Sequence, residues 1–407
     1  MSPSALPEGD APPSDGRLPQ SAFEGLDART WGLYIHIPFC AVRCGYCDFN
    51  TYTRDELGGV SHDTFPGFAA REMDFAHGVM NESGHDSRTL STIFFGGGTP
   101  TLLGPKPLLE LIDRARDLWG LGPTTEVTVE ANPDSVTSED LTALREGGVT
   151  RVSFGVQSTD PEVLKTLDRT HNPDQVPLVI GYARDAGLDV SIDLIFGTPG
   201  ETLSQWRRTL EDALTWAPDH ISAYSLIVEP GTALARRIRR GELPDVVDDA
   251  QADMYVLTDD MLSTAGYHWY EISNWSKEKR FESVHNRSYW TTEDWWGIGP
   301  GAHSHVGGVR WWNVKHPTAY QQRISEGLSP AFAREILTSE QQRTEKILLG
   351  LRMSPGIATE AVEASKAPVI AEFIGRGLLD GRQAVAGNLV LTQAGRLVAD
   401  HVVRELT

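Results

Sequence analysis

An α/β fold is predicted: a partial, six-stranded relative of the (β/α)₈ barrel, followed by a smaller α+β region with a winged-helix-like end. Two observations predict the barrel. Between about Trp31 and Pro230, six apolar runs of β-type composition alternate with longer amphipathic stretches, and parallel strands need crossovers of that kind. Several of those stretches open with Ser, Thr or Pro and close at Gly, as capped helices do. A change of composition after residue 230 predicts the second region.

The strands are read, in order, as LYIHIP (33–38), TIFFG (92–96), EVTVEANP (126–133), RVSFGVQS (151–158), DVSIDLIFGTP (189–199) and HISAYSLIVEP (220–230). Helices are expected in PKPLLELIDRARDLW, SEDLTALREGG, PEVLKTLDR, PDQVPLVIGYARDAG and TLSQWRRTLEDALTWA. In barrels of this kind the chemistry sits at the C-terminal ends of the strands. Residues 1–30, rich in Pro, Ser and acidic side chains, read as a disordered tail with neither signal- nor transit-peptide order. The barrel is expected over 31–230 and a C-terminal domain over 231–407. Within the latter, 231–330 holds Trp269, Trp275, Trp290, Trp295, Trp296, Trp311 and Trp312 together with the Gly-rich WWGIGPGAHSHVGG. The winged-helix-like module is expected over 338–407, as two helices, a short hairpin at QAVAGNLVLT and a last helix.

The 407 residues suffice for two or three domains, and 40% hydrophobic content is ordinary for a soluble protein. With 36 basic against 56 acidic side chains the net charge is −20, which argues against a nucleic-acid partner. No apolar run reaches the roughly 20 residues of a membrane span, which leaves peripheral membrane contact open. A cytoplasmic location is expected.

All 3 cysteines fall in one stretch, Cys40-Ala-Val-Arg-Cys44-Gly-Tyr-Cys47, directly after the first strand. Such clustering reads as a metal or redox site in a reducing compartment. Three thiolates on one tight loop suit a [4Fe–4S] cube, which commonly takes four, so one iron is left open to a small chelating ligand. The alternatives are a Cys₃His zinc site using His36, or three packed thiols; structural zinc sites favour paired Cys elements from separate places.

YIHIPFCAVRCGYCDF resembles the signature of the radical S-adenosylmethionine (SAM) superfamily, in its coproporphyrinogen-oxidase-like branch. The resemblance runs from about Trp31 to the C-terminus. It implies that Cys40, Cys44 and Cys47 hold the cluster and that SAM takes the open iron, where one electron can cleave it to methionine and a 5′-deoxyadenosyl radical. It further implies SAM contacts at Tyr34, Tyr46, Gly97, Gly98 and Thr99 of GGGTP, Glu130 of VEANP, Gln157 of GVQS, Arg169 of LDRTH and Asp193 of SIDLIFGTP. Independently of the resemblance, glycines allow close backbone approach to a ligand. Polar residues on apolar strands are likewise unusual in a filled barrel core, although each alone could be a satisfied structural group.

Two features divide the branch. The oxidase signature has a further Cys two positions after the third, where this chain has Phe49, and the oxidase has an ordered N-terminal extension where this chain shows only a Pro-rich tail. His285-Asn286-Arg287-Ser288-Tyr289-Trp290 is similar to the HNxxYW motif of the heme-chaperone (HemW-type) relatives, implying heme held by His285, Asn286, Tyr289 and Trp290 and passed to an acceptor protein. An imidazole can ligate heme iron, aromatic walls suit a flat disc, and an Arg can pair with a propionate. The plainer alternative makes this motif a polar-lined core corner. His303 and His305 of GAHSH are secondary candidates. The expectation is a heme carrier rather than an enzyme; the alternative is an oxygen-independent coproporphyrinogen III oxidase, giving protoporphyrinogen IX by propionate decarboxylation. Radical modification of RNA is a third reading, disfavoured by the charge.

Overall fold

The computed structural model describes residues 8–53, 56, 59–85 and 88–407. Six strands, β1 (Trp31–Ile37), β2 (Leu90–Gly97), β3 (Leu121–Ala131), β4 (Arg151–Gln157), β5 (Asp189–Phe196) and β6 (His220–Ser225), lie side by side in chain order and pair in parallel. The crossovers carry α1 (Phe65–Glu82), α2 (Pro105–Trp119), α3 (Ser138–Glu146), α4 (Pro161–Thr166), α5 (Val176–Asp185) and α6 (Leu203–Trp216). Local chemistry explains their starts. Thr137 with Asp140 and Thr202 with Gln205 form capping boxes at α3 and α6, and Asp160 caps α4. The predicted α/β partial barrel is therefore the observed architecture.

Strand alternation makes this barrel a container. Leu33, Ile35, Ile93, Phe95, Val127, Val129, Val152, Phe154, Val190, Ile192 and Ile221 are buried in the main hydrophobic core. The residues between them, Tyr34, Phe94, Thr128, Glu130, Arg151, Ser153, Ser191, Asp193, His220 and Ser222, line a cavity instead. Because successive side chains in a strand face opposite ways, one face packs under the helices and the other encloses polar space.

The boundary expected at residue 230 is not a break in the sheet. After α7 (Ala233–Arg239) and α8 (Asp248–Thr264), β7 (His268–Glu271) and β8 (Asn274–Ser276) extend the sheet beyond β6. The short helix α9 (Val284–Trp290) follows, and β9 (Asp294–Ile298) then inserts beside β1, parallel to it. Next come β10 (His303–Val306), β11 (Val309–Asn313), α10 (Pro317–Ser325) and β12 (Ala331–Ile336), giving twelve strands in the order β12-β11-β10-β9-β1-β2-β3-β4-β5-β6-β8-β7.

The disordered-tail expectation needs correction for residues 8–30; residues 1–7 lie outside the described residues. Asp10 exchanges backbone hydrogen bonds with Arg334 of β12 (2.7 and 3.0 Å), and Ser14 accepts from the Ser329 amide. Ala22, Phe23 and Leu26 are buried in the main core. An edge strand in need of a partner and three apolar anchors outweigh the polar composition. The extension is thus ordered, but none of its residues lines the cavity.

The C-terminal segment has its own small core of Ile347, Leu351, Phe373, Leu389, Val402 and Leu406. It comprises α11 (Ser339–Gly350), β13 (Ile357–Ala358), α12 (Ala367–Gly375), α13 (Gly381–Val385), β14 (Asn388–Leu389), α14 (Gln393–Leu397) and α15 (Ala399–Leu406). The hairpin expected at 383–392 does not form. Asp380 caps a helix through the Arg382 and Gln383 amides, and β14 pairs with β13 instead. Among the described residues no helix is long and apolar enough to cross a membrane.

Candidate functional site

The cavity, about 660 Å³, opens at the C-terminal ends of the strands and runs down inside the barrel. Cys40, Cys44 and Cys47 line it, none in a disulfide. Their loop is closed by the Cys40 amide donating to Tyr52 O (3.1 Å) and the Tyr52 amide to Pro38 O (2.7 Å). It is clamped from above where the Gly45 amide donates to Leu167 O and the Leu234 amide to Gly45 O. Gly97–Thr99 continues alongside the loop: the Gly98 and Thr99 amides donate to Ile37 O and Phe39 O, and a Cβ on Gly98 would sit 2.3 Å from the latter oxygen. Gly98 is therefore required by backbone approach, and Gly97 by its φ of 108°.

Arg169 ties the far wall to the loop. Its guanidinium donates to Gly155 O (2.5 Å), Asn132 Oδ1 (2.8 Å) and Cys44 Sγ (3.5 Å). Gln157 follows a register shift in β4 and adopts φ 63°, a strained conformation for a side chain of this size. Deeper in, burial and the neighbouring Asp193 push Glu130 up to about 8, and burial raises Asp193 although Ser153 and Ser222 donate to it. Burial also raises the Cys40 and Cys47 thiols, the latter to about 11. Thiolates there need a metal's positive charge.

The donor set fits an iron–sulfur cube and not the zinc alternative. His36 donates Nε2–H to Asn50 O (2.8 Å) and accepts from Tyr34 Oη at Nδ1 (3.0 Å), so neither nitrogen is free for a metal. Arg169 suits a ligand carboxylate, and Glu130 with Asp193 suits ammonium or hydroxyl groups.

All nine residues expected to contact SAM and all three cysteines line this one cavity. A family model described as the radical SAM superfamily matches residues 34–213. A heme chaperone named HemW from Mycobacterium tuberculosis (strain ATCC 25618 / H37Rv) is 44% identical over 382 residues, spanning 94% of this chain and 96% of the relative. The chain belongs to the HemW family of radical SAM proteins. The Bacillus subtilis HemW is 35% identical across 91% of this chain and 97% of its own length. Coproporphyrinogen III oxidase (HemN) from Escherichia coli superposes with a TM-score of 0.80 at 22% identity, covering 100% of this chain and 96% of the other, and so shares the fold. As a radical SAM protein, this HemW-family chain uses a [4Fe–4S] cluster and SAM.

The HNRSYW motif is α9, docked against the barrel wall. Glu126 of β3 accepts from the Val284 and His285 amides (3.1 and 3.0 Å) and pairs with Arg151 (3.2 Å). His285, Asn286 and Tyr289 line the cavity; Trp290 does not. Positions 285 and 289 share a helix face, whereas 290 falls about 100° further round. His285 is 1% exposed, with Nδ1 on Thr92 Oγ1 and Nε2 on Tyr289 Oη, both at 2.7 Å. Burial lowers it to about 3, which keeps it neutral. Asn286 donates to Glu271 (2.8 Å) and Arg287 pairs with Glu282 (2.9 Å). None of the seven clustered tryptophans lines the cavity; Trp275, Trp296 and Trp311 belong to the main core. His305 is held by Glu293 O and the Gly308 amide, and neither it nor His303 reaches the cavity. Sequence reasoning missed Thr92, Glu126, Arg151, His220 and Glu271, although the polar residues at every second position of EVTVE and RVSFG were a readable sign of an inner polar face.

Proposed function

We propose that the chain carries heme to an acceptor protein in the cytoplasm. Kinship along nearly the whole chain with proteins named heme chaperones supports the reading. The observation that carries it is an apolar ledge at the cavity mouth: Phe49, standing where the oxidase signature has Cys, is 64% exposed beside Val42 and Ile227, which are 54% and 56% exposed. Such a ledge suits a flat apolar disc. His285 would ligate the iron after the Tyr289 phenol leaves its Nε2.

Heme titration of wild type, Phe49→Asp and His285→Ala tests this. We expect a Soret band weakened in both variants. Unchanged affinity in His285→Ala removes the imidazole role, and no binding by wild type removes heme carriage. Steady formation of protoporphyrinogen IX from coproporphyrinogen III with SAM under anaerobic reduction, lost in Cys44→Ser, would replace the carrier reading with the oxidase one.

A further inference from the structure

The Gly-rich WWGIGPGAHSHVGG of 295–308 contributes no residue to the cavity, yet its turn between β9 and β10 is pressed against the base of the cysteine loop. Gly299 has φ 105°, and a Cβ there would stand 2.5 Å from His36 O. Gly301 has φ 73°, and a Cβ there would stand 2.6 Å from Asn50 Nδ2. Both glycines are therefore set by what the turn touches.

Asn50, on the arm that leads back from Cys47, makes the contact. Its Nδ2 donates to Pro300 O (2.9 Å) and to Lys315 O (2.8 Å), which lie 250 and 265 residues further along the chain. Its Oδ1 accepts from the Tyr52 hydroxyl (3.0 Å), which also reaches Lys315 O at 3.0 Å. Its backbone carbonyl accepts from His36 Nε2 (2.8 Å). Two carbonyls facing one nitrogen use both N–H groups of the amide and fix its orientation. Tyr52 is in turn the residue that joins the two arms of the loop, through the Cys40 amide and Pro38 O.

The turn is itself held from behind. The Gly299 amide donates to Glu72 Oε2 (2.7 Å), and Asn313 Nδ2 bridges Glu72 Oε1 (2.7 Å) and Gly299 O (2.9 Å). Tyr320 of α10 donates to the same carboxylate (2.6 Å), and the Gly301 amide donates to Val314 O (3.0 Å). Neither Asn50 nor its partners Pro300, Lys315 and Tyr52 line the cavity, so they act on its contents only through the loop. We infer that Asn50 is a positioning residue for the cluster: seated on the 299–301 turn, it sets the path of the arm 47–52 and so the placing of the Cys40 and Cys47 thiolates. Metal ligands depend on such supporting hydrogen bonds for their orientation. The inference takes the three cysteines as the cluster ligands and is independent of heme carriage.

Asn50→Ala, Gly301→Ala and the double variant test this in the full-length chain, with circular dichroism as the check on folding. Release of iron from the reconstituted cluster to a chelator is timed, and the reduced cluster is recorded by electron paramagnetic resonance with and without SAM. Asn50→Ala and Gly301→Ala should each release iron about ten-fold faster, the scale of a lost supporting contact. The clusters that remain should show an altered resonance spectrum, and the double variant should fall well short of the product of the two losses, because both act on one contact. Unchanged release overturns the inference. So does faster release with an unaltered spectrum, which would make Asn50 a support of the fold alone, and so does a double variant equal to the product. If Gly301→Ala does not fold, Asn50→Leu replaces it: it keeps the volume, removes both donors and should match Asn50→Ala, whereas wild-type release and spectrum would overturn the assignment.

Discussion

Glu126→Leu tests what docks the HNRSYW helix on the barrel. The Glu126 and Arg151 side chains are 8% and 3% exposed, so removing one partner strands a buried charge, at about 3–5 kcal/mol. The α9 amides of Val284 and His285 lose their acceptor in the same step, a capping loss of about 1–2 kcal/mol. In Glu126→Leu/Arg151→Met the ion pair is replaced by apolar volume, which is often close to neutral, and only the capping loss should remain. Urea unfolding at constant m-value gives both numbers, against a total stability of about 5–15 kcal/mol. A single variant costing under about 1 kcal/mol, or a double variant as unstable as the single, would refute this account.

Three further outcomes are expected. Burial pushes Glu72 up to about 7 although Gly299, Asn313 and Tyr320 donate to it. The native state therefore holds a proton that the unfolded chain releases near pH 4.3, and this contribution, full at low pH, is lost as pH rises towards 7. Glu72→Gln should shrink the difference between urea midpoints at about pH 5 and about pH 8; an unaltered difference contradicts it. Arg169→Met should lower cluster retention after reconstitution about tenfold, the scale of a charged hydrogen bond, read by visible absorbance, and full retention contradicts the link through Cys44. Arg396 pairs with Asp259 of α8 and lies 4.2 Å over the Trp269 ring. Arg396→Met should cost about 3 kcal/mol and speed amide exchange in 367–406 while β1–β6 keep their protection; uniform exchange would deny the terminal core its separate behaviour.

The parts of the site that were legible in the sequence are those whose chemistry is local. The CX₃CX₂C loop announces its thiols, GGG announces backbone approach, and Glu130 and Asp193 stand out on apolar strands. The architecture of the second half was not legible, because β9 earns its place only beside β1, which precedes it by more than two hundred residues. Trp296 and Trp311 of the Trp-rich segment are core for the same reason: once β9–β12 join the sheet, they have a hydrophobic face to fill. His285 shows the limit most clearly. Its motif was plain, but that Thr92 and Tyr289 occupy both ring nitrogens depends on how α9 meets β2.

The insertion of β9 beside β1 also fixes an order of events during synthesis. Chains emerge N-terminus first, so β1, the strand that leads into the cysteine loop, has an open edge until residue 298 has been made. The partner that the N-terminal segment finds on β12 comes later still. Long-range pairing of this kind is slow and leaves strand edges free to pair with other chains. Whatever delivers iron and sulfur to a nascent chain therefore meets a loop on an unfinished sheet, and loading before residue 298 emerges would act on a support that is not yet complete.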